Sequence, residues 1–398
     1  LSAGGMLNPQ VSYGDDVMAR LAYISRNPDG GDKLQEIVIK SMNQLIMTLI
    51  KKAAASDHVK SDYLIVCKDD ILEMVLVGNT AMHHIALGLP AGSLGKSPYN
   101  AVVSSELSLQ SNQLGLDTHE NTCLWIPPNV AAFVGADHVA MLLSAGIEDE
   151  IETTLYLDIG TNTEVTIKKG NKMISCSTAS GPAFEGAHIS AGMRAEEGAI
   201  ENVRVENGNI FFQTIGNRLP AGICGSGVLD LISGLVTVGL IEKSGRLNPT
   251  HPLISKDKPG SVIVAAAGET SHGEEIVLTR KDISEIQLAK GAIRTGIELV
   301  CRELGIRPGE VKKVVIAGAF GSYININSAI TIGMLPDLSL DCVHQIGNAA
   351  GMGAKMMLMS SSQRSKASGL ARNIEYLELA DHSDFNRTYS KAILFEKF

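Results

Sequence analysis

Apolar residues recur with helical spacing in two long stretches of the chain, LQEIVIKSMNQLIMTLIKKAA (34–54) and ISEIQLAKGAIRTGIELVCREL (283–304). After each stretch comes a short apolar run that ends in glycine, within EMVLVGNTAM (73–82) and KKVVIAGAFG (312–321). Apolar runs of this length between turn residues are typical of buried strands. The pattern therefore predicts a helix followed by a buried strand in two separate parts of the chain.

A second helical pattern, entered at a glycine, follows each predicted strand: FVGADHVAMLLSAG from residue 133 and IGNAAGMGAKMMLMSS from residue 346. Helix, strand, glycine turn and helix thus occur twice in the same order, which favours an internal duplication. Successive α/β units produce this order without duplication as well, so that interpretation stays open.

The second half also carries a predicted hairpin, LYLDIGTNTEVTIKKGNKM (155–173), with a turn at Lys169-Gly170-Asn171. A counterpart in the first half would lie before residue 1, and the chain begins LSAGGMLNPQ without a Met or a signal peptide. We therefore expect a fragment of a longer protein. The acidic stretch at 144–154 is the best boundary, giving a first domain at 1–150 and a second at 151–398.

The predicted hairpin contains candidate residues for binding phosphate and Mg²⁺. Its first strand ends at Asp158, and the residues that follow are small and polar: Gly160, Thr161, Asn162 and Thr163. We expect outward-pointing backbone N–H groups and side-chain donors that suit phosphate oxygens. Asp158 suits Mg²⁺, because hard cations prefer carboxylate oxygen. An ordinary hairpin uses the same turn residues, so this motif alone favours neither interpretation.

Two further glycine turns are candidate ligand sites. In AGICGSGVLDLISGL (221–235), Gly225, Ser226 and Gly227 open a predicted helix, where free N–H groups favour an anion. Simple helix entry with Ser226 as the cap explains the same residues equally well. In VVIAGAFG (314–321), small residues after a buried strand allow a flat ligand close to the backbone, although such glycines are common. The glycine-rich segment 180–200 has either a functional or a packing reason.

Composition excludes several classes of protein. The formal charge of −9 argues against nucleic acid as the main partner, and no apolar run approaches the ~18 residues of a membrane helix. The six cysteines are scattered without a CxxC pair, which indicates reduced thiols in a cytoplasmic protein and no ferredoxin-type cluster within this chain. For Cys224 a buried thiol is favoured over a nucleophile, and for His83-His84 a structural role is favoured over a metal site.

Taken together, the motifs resemble one branch of the acetate and sugar kinase, Hsp70 and actin superfamily, the ATP-dependent reductive activators of corrinoid proteins. The resemblance covers essentially the whole chain. It rests on NPQVSYGDDVMARLAYI (8–24), LVGNTAMHHIALGLP (76–90), PPNVAAFVGADHVA (127–140), LYLDIGTNTEV, CSTASGPAFEGAHISAGMRAEEGAI, GICGSGVLDLI, VVIAGAFGSYININSAITIGMLP and IEYLELADHSDFN (374–386).

The resemblance implies an α/β fold of two ribonuclease-H-like halves, as in actin-like ATPases, with the first half truncated at its N-terminus in this chain. It also implies an enzyme that returns the Co(II) of a partner corrinoid protein to Co(I), with ATP and Mg²⁺. Electrons would come through an iron–sulfur domain, commonly an N-terminal [2Fe–2S] domain, which is expected to lie outside this chain. A homodimer is expected from the family.

Carried over by position, the resemblance implies that Asp158 organises Mg²⁺ and that residues 160–163 contact the phosphates. The residues expected to back the adenosine are Gly318, Ala319, Phe320 and Gly321. Asp137 would position the attacking water from the start of its helix. That helix and its counterpart from Gly351 would form a hinge that closes on the nucleotide.

Two other functions remain open at this stage. A small-molecule kinase of the same superfamily has the same fold, because fold does not fix function. A docking module for a corrinoid protein, indifferent to nucleotide, is the other. ATP turnover stimulated by a corrinoid protein favours the activator, and turnover with a sugar or carboxylate favours the kinase. Partner binding that ignores nucleotide favours the docking module. The sequence identifies neither the corrinoid protein nor its methyl donor and redox partner.

Overall fold

The chain divides into two compact units. The computed structural model describes residues 2–55, 66–254, 260–318 and 320–398. The first unit contains the chain up to Glu148 together with Ala349–Ile374, and the second contains Asp149–Asn348 together with Glu375–Phe398. Among the described residues, no helix is long and apolar enough to cross a membrane.

The described residues form helices and strands in alternation. The helices are α1 (Val17–Arg26), α2 (Gly30–Ala54), α3 (Thr80–Ala86), α4 (Ala136–Ser144), α5 (Gly225–Thr237), α6 (Arg280–Glu303), α7 (Ile326–Thr331), α8 (Ala349–Met359), α9 (Ser361–Asn373) and α10 (Phe385–Ala392). The strands are β1 (Glu73–Val75), β2 (Leu107–Gln110), β3 (Cys123–Ile126), β4 (Thr154–Ile159), β5 (Thr163–Lys169), β6 (Lys172–Thr178), β7 (Ala199–Glu206), β8 (Asn209–Thr214), β9 (Gly222–Ile223), β10 (Ser261–Ala265), β11 (Ile276–Thr279), β12 (Lys313–Ala317), β13 (Val343–Gln345) and β14 (Ile374–Tyr376).

The predicted order of elements is confirmed in both halves of the chain. The first helical stretch is α2, which is followed by β1 and later by α4. The second is α6, which is followed by β12 and later by α8. Apolar periodicity locates these helices because the periodic positions are the buried ones, as at Leu34 and Val38 of α2.

The first unit is built on a small sheet with the strand order β1-β3-β2. Strand β3 pairs in parallel with β1 and antiparallel with β2. Leu124 and Ile126 of β3 are almost completely buried in one hydrophobic cluster with Leu34 of α2 and Ile85 of α3. Burial of these side chains stabilises the unit by about 1.5–3 kcal/mol each.

Helices α4 and α8 pack directly on each other within the first unit. A Cβ at Gly353 of α8 would lie 2.0 Å from the carbonyl oxygen of Ala140, so only glycine allows this approach. Ser144 of α4 donates a hydrogen bond to the carbonyl oxygen of Ala349 at 2.8 Å. The chain therefore returns to its first unit some two hundred residues after leaving it.

The second unit contains a six-stranded sheet with the order β13-β12-β4-β5-β6-β14. Strands β4, β5 and β6 are antiparallel, which confirms the predicted hairpin, and Gly170 in the following turn has a φ of +59°. Strand β12 pairs in parallel with β4 on the other side. The consecutive buried residues Leu155, Tyr156 and Leu157 are typical of a strand covered on both faces.

Helix α6 packs against this sheet and begins three residues before its apolar periodicity does. A capping box sets its start: Asp282 accepts a 2.8 Å hydrogen bond from the N–H of Thr279, and the Thr279 hydroxyl caps the N–H of Asp282. Asp282 is fully buried and also accepts from the N–H of Ser190 at 2.7 Å. The cap thus fixes the helix to the segment 180–200.

Candidate functional site

The carboxyl ends of β4 and β12 meet at one edge of the sheet in the second unit. The parallel register pairs Ala317 with Asp158, so Gly318 comes next to the carboxylate. A Cβ at Gly318 would lie 2.3 Å from the carbonyl oxygen of Ile159 and 2.9 Å from Oδ1 of Asp158. Gly318 also has a φ of +94°, which favours glycine. The structure therefore places the hairpin and the AGAFG turn together.

The hairpin turn is closed more tightly than the sequence suggests. The N–H of Gly160 donates to the carbonyl oxygen of Asn162 at 3.1 Å, and Ile159 pairs with Thr163 across the strands. The prediction of outward-pointing N–H groups is therefore wrong for Gly160. Thr161 and Asn162 are half-buried at the tip of the turn.

The turn is fastened to the glycine-rich loop that follows β6. The hydroxyl of Thr163, fully buried, shares a 2.9 Å hydrogen bond with the hydroxyl of Ser180. The N–H of Gly181 donates to the carbonyl oxygen of Thr161 at 2.8 Å, and the Thr161 hydroxyl donates to Glu185. In this structure, therefore, Thr163 holds the loop, and its contact with phosphate stays a prediction.

Asp158 is half-buried at the end of its strand. No group of three or more His, Cys, Asp or Glu side chains in the described residues is placed to hold a metal ion. Mg²⁺ in nucleotide sites is commonly held by one or two carboxylates with phosphates and water. The residues at this edge therefore fit a magnesium ion that arrives with a phosphate ligand.

Helix α5 begins at Gly225, next to the glycine-rich loop that follows β6. A Cβ at Gly225 would lie 1.8 Å from the carbonyl oxygen of Phe184, and one at Gly227 would lie 2.2 Å from that of Ile200. Close packing therefore requires both glycines, whatever they bind. The interpretation of Ser226 as the cap is wrong, because Cys224 occupies the cap position and the Ser226 hydroxyl donates to the carbonyl oxygen of Glu201 at 2.9 Å.

A pocket of about 200 Å³ lies where these motifs meet. Phe320, from the AGAFG turn, stacks on Phe184 with ring centroids 4.7 Å apart and an angle of 14° between the planes. Arg194 and Tyr323 line the pocket together with the start of α5. Aromatic walls with a few polar groups are typical of sites for planar ligands. Binding of a flat ligand in this pocket stays a prediction.

The prediction for the AGAFG turn also included Ala319 and Gly321. Ala319 lies outside the described residues. Gly321 packs against the end of β12, because a Cβ there would lie 2.3 Å from the carbonyl oxygen of Ala317. Contact of Gly321 with a ligand stays a prediction.

Asp137 lies in the first unit, at the first turn of α4. Its N–H donates to the carbonyl oxygen of Gly78 at 3.3 Å, and its Oδ1 accepts from the N–H of His138 at 2.9 Å. Burial raises the pKa of Asp137 to about 6. Asp137 lines a second pocket, of about 230 Å³, that Asn79 and His83 also line.

Families of known proteins match both parts of the chain. Residues 1–150 match the family described as the RACo middle region, and residues 152–397 match the one described as the C-terminal domain of RACo, the ASKHA domain. The chain belongs to the RACo family. The predicted actin-like ATPase fold is thereby confirmed, since ASKHA domains are the acetate and sugar kinase, Hsp70 and actin class, and an ATPase-type domain suggests nucleotide binding.

Individual relatives agree with the family. The chain is 34% identical over 405 aligned residues to the corrinoid activation enzyme RamQ of Eubacterium limosum, with 99% of the chain and 66% of the relative covered. It is 26% identical to a [Co(II) methylated amine-specific corrinoid protein] reductase of Methanosarcina barkeri, with 94% and 69% covered. A solved reductive activator for corrinoid, iron–sulfur protein superposes with a TM-score of 0.86 at 33% identity, with 99% and 62% covered. The chain thus spans 62–69% of the length of these three proteins.

The pocket of the second unit is completed by Glu185 and Arg194, in the segment that the sequence left open between a functional and a packing reason, and by Phe184 and Tyr323, which sequence reasoning missed. Phe184 and Glu185 lie between Gly181 and Gly186, both of which have positive φ. Glycines that bracket an aromatic and an acidic residue were the available signal. That loop, however, packs against α5 and the AGAFG turn, and no pattern in the sequence predicts these contacts.

Proposed function

We propose that this chain is the nucleotide-driven part of a reductive activator of corrinoid proteins. ATP binding and hydrolysis in the chain would assist transfer of one electron to the cobalt of a partner corrinoid protein, returning Co(II) to Co(I). The observation that carries the proposal is the pocket of the second unit, where the hairpin loop, the start of α5 and the AGAFG turn meet. Its support from comparison is that relatives bear the names of corrinoid activation enzyme and corrinoid protein reductase.

ATP would bind with its adenine against the Phe184–Phe320 stack and its phosphates toward the hairpin. Arg194 lines the same pocket and supplies positive charge for a phosphate. Residues 160–163 and Gly225-Ser226-Gly227 remain candidate phosphate contacts. Asp158 would hold Mg²⁺, which when bound neutralises developing charge on the phosphates. The residues on this edge would orient the nucleotide and keep water from the adenine.

Asp137 is proposed to accept the proton of the attacking water. Only its ionised form can do so, and burial raises the pKa of Asp137 to about 6, so the carboxylate is available above that pH. The oxygen of water would bond to the γ-phosphorus, its proton would pass to Asp137, and the bond to the ADP oxygen would break.

Electrons are proposed to come from an iron–sulfur domain outside this chain, commonly of [2Fe–2S] type in the family. The buried cysteines Cys176, Cys224 and Cys301 fit a structural role better than cluster ligation. Burial raises the pKa of the Cys301 thiol to about 12, which disfavours the thiolate that a cluster requires. A homodimer and a cytoplasmic location remain part of the proposal.

The test is the melting temperature of the chain with and without Mg-ATP. A ligand at 100 times its dissociation constant stabilises a protein by about 2.7 kcal/mol, which for a unit of this size is a shift of roughly 5–10 °C. The shift should appear in wild type and vanish in Asp158→Asn. Asp341→Asn is the matched control, because Asp341 is exposed and precedes β13, at the amino end of the parallel strands.

No shift in wild type would contradict nucleotide binding by this chain and favour the docking hypothesis. A shift that survives in Asp158→Asn would move the nucleotide away from the hairpin. If the shift behaves as proposed, ATP hydrolysis is then measured with and without a corrinoid protein. Stimulation by the corrinoid protein supports the activator, whereas stimulation by a sugar or carboxylate supports a kinase.

A further inference from the structure

The pocket of the first unit combines an apolar wall with a small polar corner. Its lining includes Met42, Leu76 and Ile126, while the polar side chains are Asn79, His83 and Asp137, and Asn79 is engaged as the cap of α3. The volume of about 230 Å³ is enough for a few water molecules, each of which takes about 30 Å³ in the liquid.

Hydrogen bonds fix the tautomer of His83. The N–H of Ala136 donates to Oδ1 of Asn129 at 3.1 Å, so the other amide atom of Asn129 is the NH₂ group. That group lies 2.6 Å from Nδ1 of His83, which must therefore accept. Burial lowers the pKa of His83 to about 4, so the ring is neutral at pH 7 and carries its proton on Nε2.

The Nε2–H of His83 is a buried donor in need of an acceptor. His83 is only 4% exposed, and across the described part of the chain Nε2 has no hydrogen-bond partner. A buried donor without an acceptor is unfavourable, because it has lost its hydrogen bonds to water. The acidic residue that lines the same pocket is Asp137, whose carboxyl group can accept a hydrogen bond. A water molecule between the two would accept from His83, which lacks an acceptor, and would donate to the carboxyl of Asp137.

We propose that His83 and Asp137 hold one water molecule between them, and that His83 is a positioning residue for the water from which Asp137 takes a proton. The first part stands on the geometry of the pocket, whereas the second rests on the proposed ATP hydrolysis. The Nε2–H of His83 would occupy one lone pair of the water oxygen and leave the other free to attack phosphorus. Asp137 would take one proton of that water.

Two substitutions separate the roles of the two ring nitrogens. His83→Asn keeps an acceptor near the Nδ1 position, and with it the bond from Asn129, but has no donor at the Nε2 position. His83→Gln places an amide donor near the Nε2 position and loses the acceptor near Nδ1. The proposal predicts that His83→Asn lowers kcat for ATP hydrolysis about tenfold with KM unchanged, as expected for one lost hydrogen bond. His83→Gln should recover most of that loss although its melting temperature is lower.

A purely structural role for His83 predicts the opposite order of kcat in the two variants: His83→Asn is close to wild type and His83→Gln is impaired. The double variant His83→Asn with Asp137→Asn adds a second test. If one water links the two residues, the double variant is no slower than Asp137→Asn alone. Additive losses would overturn the link.

A crystal structure at atomic resolution tests for the water molecule independently of activity. The expected result is one water within about 2.6–3.2 Å of both Nε2 of His83 and the Asp137 carboxylate in wild type, and absent in His83→Asn. A dry pocket would overturn the inference even if hydrolysis is observed. If wild type holds the water but hydrolyses no ATP, the proposed function fails and the assignment of His83 as a positioning residue fails with it, while the water site stands.

Discussion

Replacing Gly318 by alanine tests the close contact between the AGAFG turn and the hairpin. The new Cβ would lie 2.3 Å from the carbonyl oxygen of Ile159, and the backbone φ of +94° is unfavourable for alanine. The conformational strain costs about 1 kcal/mol, and overpacking of this kind costs a further ~1–3 kcal/mol. We therefore expect the free energy of unfolding to fall by about 2–4 kcal/mol.

The matched control is Gly208→Ala in the turn between β7 and β8. Gly208 has a similar positive φ of +74°, but a Cβ there would meet nothing within 4 Å. This variant should lose only the strain, about 1 kcal/mol. Both glycines lie in the second unit, so urea unfolding followed by circular dichroism reports on the same structure in each case.

The difference in the free energy of unfolding between Gly318→Ala and Gly208→Ala isolates the effect of the contact with the hairpin. Because the Cβ at Gly318 would also lie 2.9 Å from Oδ1 of Asp158, Gly318→Ala should weaken Mg-ATP binding, whereas Gly208→Ala should not. Equal losses of stability in the two variants would refute the argument that the turn and the hairpin are packed in contact.

Two further predictions concern the first unit. Gly353→Ala should lower the free energy of unfolding by ~1–3 kcal/mol, because its Cβ would lie 2.0 Å from the carbonyl oxygen of Ala140, whereas Gly369→Ala, in open space within α9, should stabilise by about 0.5–1 kcal/mol in the same denaturation assay. Asp137→Asn should be more stable than wild type at pH 8, because burial raises the pKa of Asp137 to about 6, above that of the unfolded chain, and the folded state therefore disfavours the ionised form. That advantage should shrink as the pH falls through 6 towards 4, and an advantage that grows in acid would contradict the burial of Asp137.

The sequence predicts well the elements that have a clear local pattern. The positions of α2 and α6 follow from the helical period of their apolar residues, and the hairpin follows from short apolar runs on either side of a turn. The family resemblance implied that Asp158 and Gly318 contact one nucleotide, and the parallel pairing of β4 with β12 brings them together at the carboxyl edge of the sheet. The start of α6 was misplaced by three residues because Thr279 and Asp282, polar residues of the cap, carry no apolar periodicity.

The rest of the site depends on contacts between segments distant in the chain. Thr163 was predicted to bind phosphate from its residue type, but its hydroxyl bonds to Ser180, which no local pattern reveals. Gly225 was ambiguous between a ligand and helix entry, and the structure adds a third reason, contact with the backbone of Phe184. A structural role was predicted for His83 from its position in a helix alone. The contact with Asn129 that places the ring proton on Nε2 joins residues distant in the chain, so the sequence does not show it.

The construction of the first unit from two separated segments has a consequence for synthesis on the ribosome. The surface of α4 at Ala140 is covered by α8, which is translated only after the whole of 149–348. At roughly 5–20 residues per second, this interval is about 10–40 s. During it the second unit can fold as a nearly complete domain while the first still exposes apolar surface. A nascent chain stalled before residue 349 should therefore be the species that chaperones bind.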